Sequence, residues 1–150
     1  DGMDLNICCY HKKEGYLEYS GAQNSLYVIR ETSESTQFGV ESNLEENGYK
    51  LFEIKADKMA IGGDQNEHNY QTHKLHVQKN DSVYLFSDGY ADQFGGPKGK
   101  KFMYKRFKQL LLSGQKQAMD KQLSLLDSTM KNWQGDIDQL DDNCVLGVSF

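Results

Sequence analysis

The chain has 150 residues, 37% of them hydrophobic and 26% charged, with 17 Lys and Arg against 22 Asp and Glu for a formal charge of −5. That length suits one compact domain with its own core, and the interleaving of acids and bases leaves no basic surface for a phosphate backbone, which excludes nucleic acid as a partner. No apolar run approaches the roughly 20 residues needed to span a bilayer, so this segment is expected not to insert in a membrane.

The elements begin with an alternation. Between Asp4 and Tyr10, Leu5, Ile7 and Cys9 take one side and Asp4, Asn6 and Cys8 the other, the two-residue period of a half-buried strand. HKKEG, His11 to Gly15, reads as a turn. Tyr16 to Ser20 and Leu26 to Arg30 are further strands, and together the three predict an antiparallel meander. The polar stretch from Glu31 to Gly48 predicts an exposed loop or irregular hairpin arm. Tyr49 to Lys55 and Thr72 to Gln78 resume strand character. Val83 to Phe86 is a continuous apolar run, which predicts a strand covered on both faces.

Helices come late. Met103, Phe107, Leu110 and Leu111 form one stripe with Gly114 at the C-cap, and Met119, Leu123, Leu126, Met130 and Trp133 form a second. Cys144, Leu146, Val148 and Phe150 alternate as a last strand. The order of strands, two helices and a strand predicts an α+β fold, with the helices packed outside the sheets. Cys8, Cys9 and Cys144 read as buried free thiols in a reducing compartment. No C-x-x-C pair is present, and no Cys or carboxylate stands at zinc spacing from His11, His68, His73 or His76, which read as surface histidines. No Ser-His-Asp order suggests a nucleophile.

Two strand ends carry the chemistry. Asp88 follows the apolar run directly, and Asp141 and Asp142 precede the last strand. If those strands are antiparallel neighbours, the three carboxylates gather at one sheet edge, where their repulsion calls for a hard divalent cation. Gly89 would let the backbone turn beside the ion, and Asp92 would hold a metal-bound water. The bland reading stays open: Asp88-Gly89 as an ordinary turn, Asp141 and Asp142 as solvated charges. Lys98, Lys100 and Lys101 read as a solvated loop, lacking the spacing of a phosphate cradle.

Taken in order, YSGAQNSLYVIR, KADKMAIGG, DSVYLFSDGYADQFGG, KKF and DQLDDNCVLGVSF make the whole chain resemble the stage II sporulation protein E-type serine/threonine phosphatases, a bacterial branch of the metal-dependent protein phosphatases. The resemblance implies two antiparallel sheets flanked by helices, with a two-metal centre of Mn²⁺ or Mg²⁺ at one end. Asp88 and Asp141 fall on metal ligands, Asp92 on the acid that supports metal-bound water, and Asp142 beside them without an assigned role. It implies in-line attack of water on phosphoserine or phosphothreonine, with no protein nucleophile.

By the same resemblance, the substrate is a phosphorylated regulator such as an anti-sigma-factor antagonist. The parent is a bacterial signalling protein with an upstream sensor domain, cytoplasmic or the cytoplasmic part of a membrane-anchored sensor. The family's GGDFYD-like motif, whose aspartate bridges the metals, and its GHG-like motif are absent; IGGDQNE, Ile61 to Glu67, matches neither position. Residues 1–150 are therefore expected to be the C-terminal portion of a single phosphatase domain, incomplete at the N-terminus and inactive or weakly active alone. Opening on Asp1 agrees with that expectation. Two alternatives accompany it: an inactive phosphatase-like module that binds a phosphoprotein or partner, and an unrelated calcium-stabilised sandwich.

Overall fold

The computed structural model describes residues 2–34, 38–62 and 69–150. Most of IGGDQNE, and His68, lie outside these described residues.

The strands form two antiparallel sheets. β1 (Leu5–His11), β2 (Tyr16–Ala22) and β6 (His73–His76) make one, in the order β1-β2-β6. β3 (Leu26–Glu31), β4 (Leu44–Glu46), β5 (Tyr49–Ile54), β7 (Ser82–Phe86) and β10 (Val145–Ser149) make the other, in the order β10-β7-β3-β5-β4. Between β7 and β10 come the short α1 (Gly89–Asp92), a two-residue pairing of β8 (Phe94–Gly95) with β9 (Lys100–Lys101), and the helices α2 (Tyr104–Ser113) and α3 (Met119–Gln134). No described helix is long and apolar enough to cross a membrane.

The larger sheet is a wall between two cores. Its Val28, Phe52, Ile54 and Val83 meet Leu17, Tyr19 and Leu75 of the smaller sheet. Its other face, with Tyr27, Ile29, Leu51, Tyr84 and Phe86, packs on Tyr90, Phe102, Phe107, Leu111, Leu112, Leu126 and Met130. Double coverage explains why β3 and β7 read as unbroken apolar runs, each buried side chain contributing about 1.5–3 kcal/mol. The α+β sandwich is as expected.

The connectivity and several faces differ from the sequence reading. β2 and β3 are not hairpin partners: β2 pairs β6, while β3 crosses to the larger sheet to pair β5 and β7. Tyr19 donates to the Asn24 carbonyl at 2.7 Å across this corner, and Gln23 takes a left-handed φ of 71°. On β1 the period is right but the apolar set faces outward, with Ile7 56% exposed and Cys8 on the inter-sheet core.

On the helices, Met103 is exposed at the N-cap of α2 and outside its stripe. Gln122 takes the inward place expected of Leu123, because its amide meets Tyr84 and Gln117. Of the cysteines, Cys9 and Cys144 are exposed and Cys8 half-buried, against the expectation of buried thiols. Arg30 and Asp81 form a buried bidentate pair at 2.8 and 2.6 Å, with Arg30 also donating to the His76 carbonyl at 3.0 Å. The ion pair ties β3 to the entry of β7 within the larger sheet and takes Asp81 out of the pool of free acids, while the Arg30–His76 bond reaches across to the smaller sheet.

Candidate metal centre

β7 and β10 are antiparallel neighbours, with Phe86 opposite Val145, so the chain leaving one strand lies beside the chain entering the other. The Ser87 amide donates to the Cys144 carbonyl at 3.0 Å, continuing the ladder beyond the strands. The Ser87 hydroxyl then donates to the Asp142 carbonyl at 2.7 Å and accepts from the Cys144 amide at 3.0 Å. One small side chain thereby fixes how the 141–144 segment sits against the end of β7.

Asp88 takes the N-cap position of α1 but makes no side-chain capping bond. Capping, the usual reason for an aspartate there, does not account for it. The pKa of Asp88 is raised above the ordinary carboxylate value, first by burial and then by the charges of Asp141, Asp92 and Asp4. Four carboxylates therefore share one field at the end of the larger sheet. Their oxygens are hard donors of the kind Mg²⁺ and Mn²⁺ prefer, and a divalent cation would relieve the repulsion felt at Asp88, but among the described residues no three of these acids bring ligand oxygens within 4.8 Å of one another.

The predicted residues divide. Asp88 and Asp141 lie at adjacent ends of β7 and β10, and the Asp141 charge raises the pKa of Asp88. Asp142 contributes through its backbone: its carbonyl accepts from Ser87, and its amide donates to the Asp141 carboxylate at 2.7 Å, steadying that group. Asp92 lies within the field of Asp88 but is ion-paired with Lys101 at 3.0 Å, so Lys101 is not the freely solvated lysine expected from the sequence. Gly89 is required, though not for a left-handed turn. It has no positive φ, and a Cβ there would lie 2.3 Å from the Asp142 carbonyl oxygen.

Sequence reasoning missed Asp4. It stands just before β1, where the Met3 and Ile61 backbones exchange hydrogen bonds of 2.8 Å that hold the chain in place. Its sequence signal was its position at the head of the first strand alternation. The glycine pair of QFGG also acquires a reason. Trp133 packs on Gly95 and Gly96, its carbonyl accepting from the Gly96 amide at 2.7 Å and its indole donating to the Gln93 carbonyl at 3.1 Å.

A groove of about 350 Å³ lies next to the acids, lined by Asn24, Ser25, Phe86, Tyr104, Glu53 and Lys108. Tyr104 links the two places. Its hydroxyl pKa is pushed up to about 12, by burial first and then by Asp88, Asp92 and Glu53. At neutral pH it is therefore a hydrogen-bond donor at the groove's edge. Lys108 sits 2.7 Å from Glu53 and faces the Tyr27 ring.

The family described as Stage II sporulation protein E (SpoIIE) matches residues 3–150. Among solved structures, the SiaA-PP2C domain of Pseudomonas aeruginosa is 26% identical, with a TM-score of 0.78 over 98% of this chain and 51% of that one. The phosphatase domain of the cell fate determinant SpoIIE from Bacillus subtilis, presoaked with Mn, is 11% identical, with a TM-score of 0.58 over 97% of this chain and 56% of that one. The same domain with a fragment of its regulatory domain gives 13% identity and a TM-score of 0.64 over 98% and 37%. The two Bacillus likenesses speak for the fold alone. The chain thus spans about half the length of the first two of these structures, and no curated protein matches it.

Proposed function

Because the chain belongs to the stage II sporulation protein E family, whose structural neighbours are protein phosphatase domains, we propose that it is the C-terminal portion of a metal-dependent protein serine/threonine phosphatase domain. Its parent would be a bacterial signalling regulator acting on phosphoserine or phosphothreonine. The observation that carries this reading is the convergence of Asp88 and Asp141, from the two sides of the β7–β10 ladder, with Asp4 and Asp92 in the same field.

Asp88 and Asp141 would hold the cation, Asp4 and Asp92 adding negative charge around it. Bound there, Mg²⁺ or Mn²⁺ supplies a Lewis acid for the phosphoryl oxygens and lowers the pKa of water. Everything else is done by the chain. Ser87 and Gly89 set the spacing of the two ligand-bearing segments. Tyr104 presents a protonated hydroxyl beside the acids, suited to a phosphoryl oxygen, and the adjoining groove offers polar edges at Asn24 and Ser25 for a peptide. The remaining ligands of a two-metal centre, among them a bridging aspartate, would come from outside these residues. A phosphorylated anti-sigma-factor antagonist is the proposed substrate class, and an upstream sensor the proposed regulator.

The test is hydrolysis of p-nitrophenyl phosphate and a phosphoserine peptide by the complete domain with Mn²⁺. Turnover should vanish with Asp88→Asn and with excess chelator. Undiminished turnover in either case would overturn the metal assignment, and phosphopeptide binding without turnover in the wild type would favour the non-hydrolysing binding module.

A further inference from the structure

A second group of side chains able to ligate a metal lies on the smaller sheet, where no spacing along the chain announces it. On the β1–β2 ladder Cys9 stands directly opposite Glu18, and His11 opposite Tyr16. Cys9, His11 and Glu18 therefore share the face turned away from the inter-sheet core, which takes Cys8, Leu17 and Tyr19. The Cys9 Sγ, a ring nitrogen of His11 and a carboxylate oxygen of Glu18 all lie within 4.8 Å of one another. At about 3.3 Å per residue along β1, this group is roughly 16–23 Å from Asp4, so it is not an extension of the aspartate cluster.

Its geometry is set by the fold. The ladder fixes the Cys9–Glu18 pairing, and the His11 ring is stacked on Tyr16 at 4.2 Å with its Nε2 2.8 Å from Glu18 Oε2. In tetrahedral zinc sites, bonds of about 2.3 Å to sulfur and 2.0–2.1 Å to nitrogen or oxygen put the donors roughly 3.3–3.6 Å apart. Small side-chain rotations reach that spacing from the arrangement present. The donor set is also selective. A thiolate, an imidazole and one carboxylate suit zinc-class ions and are poor ligands for Mg²⁺ or Mn²⁺, the opposite preference to the all-oxygen cluster at Asp88.

We propose that Cys9, His11 and Glu18 bind one zinc-class divalent cation, with water in the fourth position, pinning the edge strand β1 to β2. On binding, the Cys9 thiol gives up its proton to solvent as the metal–sulfur bond forms, the proton shared by His11 Nε2 and Glu18 passes by way of solvent to His11 Nδ1, and the freed Nε2 and carboxylate each bond the metal in place of a water. The site stands independently of the phosphatase reading.

Co²⁺, which reports a thiolate ligand through a near-ultraviolet charge-transfer band, is the probe. Titrated into the chain, it should give that band, and Zn²⁺ should displace it and slow alkylation of Cys9. Cys9→Ser should abolish the band, and His11→Ala and Glu18→Gln should each weaken binding roughly tenfold or more, at least the loss seen for supporting residues. Asp88→Asn/Asp141→Asn should leave it unchanged. All three site residues are at or near the surface, so the variants should keep the wild-type circular dichroism. Absence of the band up to millimolar Co²⁺, or a band that survives Cys9→Ser and disappears with Cys144→Ser, overturns the proposal.

Discussion

Replacing Gly89 by alanine tests whether the close approach of two backbones sets the aspartate cluster. The added Cβ would lie 2.3 Å from the Asp142 carbonyl oxygen and 2.9 Å from its carbon, whereas ordinary contact begins at 3.4 Å. Clearing the oxygen requires about 1.1 Å of movement, and both partners are main chain. Overpacking of this kind costs about 1–3 kcal/mol. At about 2–4 °C per kcal/mol for a chain of this size, the melting temperature should fall by several degrees. The same displacement moves the Asp141–Asp142 segment away from Asp88 by several times the ~0.2 Å tolerance of metal–ligand distances. Melting followed by circular dichroism, together with Mn²⁺ binding followed by electron paramagnetic resonance, measures both effects. A Gly89→Ala protein that melts and binds Mn²⁺ as the wild type does would refute the idea that Gly89 is there for backbone approach.

Three further outcomes are expected. In chelator, Asp88→Asn should raise the melting temperature, because a raised carboxylate pKa means that the charged form opposes folding. That penalty is present at neutral pH and relieved as pH falls through the raised value, so the two proteins should converge in acid; a lower melting temperature for the variant at neutral pH would contradict this. Tyr84→Phe removes the hydroxyl that donates to Gln122 Oε1 at 2.5 Å and accepts from Gln115 Nε2 at 2.7 Å; stranding the buried Gln122 should cost about 1–3 kcal/mol in urea unfolding, and an unchanged midpoint would show the contact to be idle. In a Cys9→Ser/Cys144→Ser background, alkylation of Cys8 should keep rising to about pH 11, because burial pushes its thiol up to about 11; a plateau near the ~8.5 of a free thiol would show that burial does not hold it neutral.

Much of the larger sheet was legible because double burial writes itself as contiguous apolar residues, as in Val83 to Phe86. The antiparallel pairing of β7 with β10 was legible for a related reason: the last apolar alternation had to find a partner, and an antiparallel neighbour sets one strand's exit beside the other's entrance. Corners were harder to read. The passage from β2 to β3 looks like a hairpin loop, but its Tyr19–Asn24 bond and the left-handed Gln23 turn the chain into another sheet. Faces were misread where a polar group had a buried partner, as with Gln122 in place of Leu123. The Cys9, His11 and Glu18 group was invisible because its members meet across a ladder, and a spacing rule along one strand cannot see the opposite strand.

Asp88 and Asp141 are joined in sequence by everything from α1 to the end of α3. The loop they close therefore contains both helices, and its closure entropy must be met before the two acids can approach. Such long-range pairings form slowly and late. A partly folded chain thus has no preformed cluster to offer an ion, and a cation that recognises only the finished arrangement favours the native state by mass action. Metal affinity at this end of the sandwich would serve as a readout of completed folding.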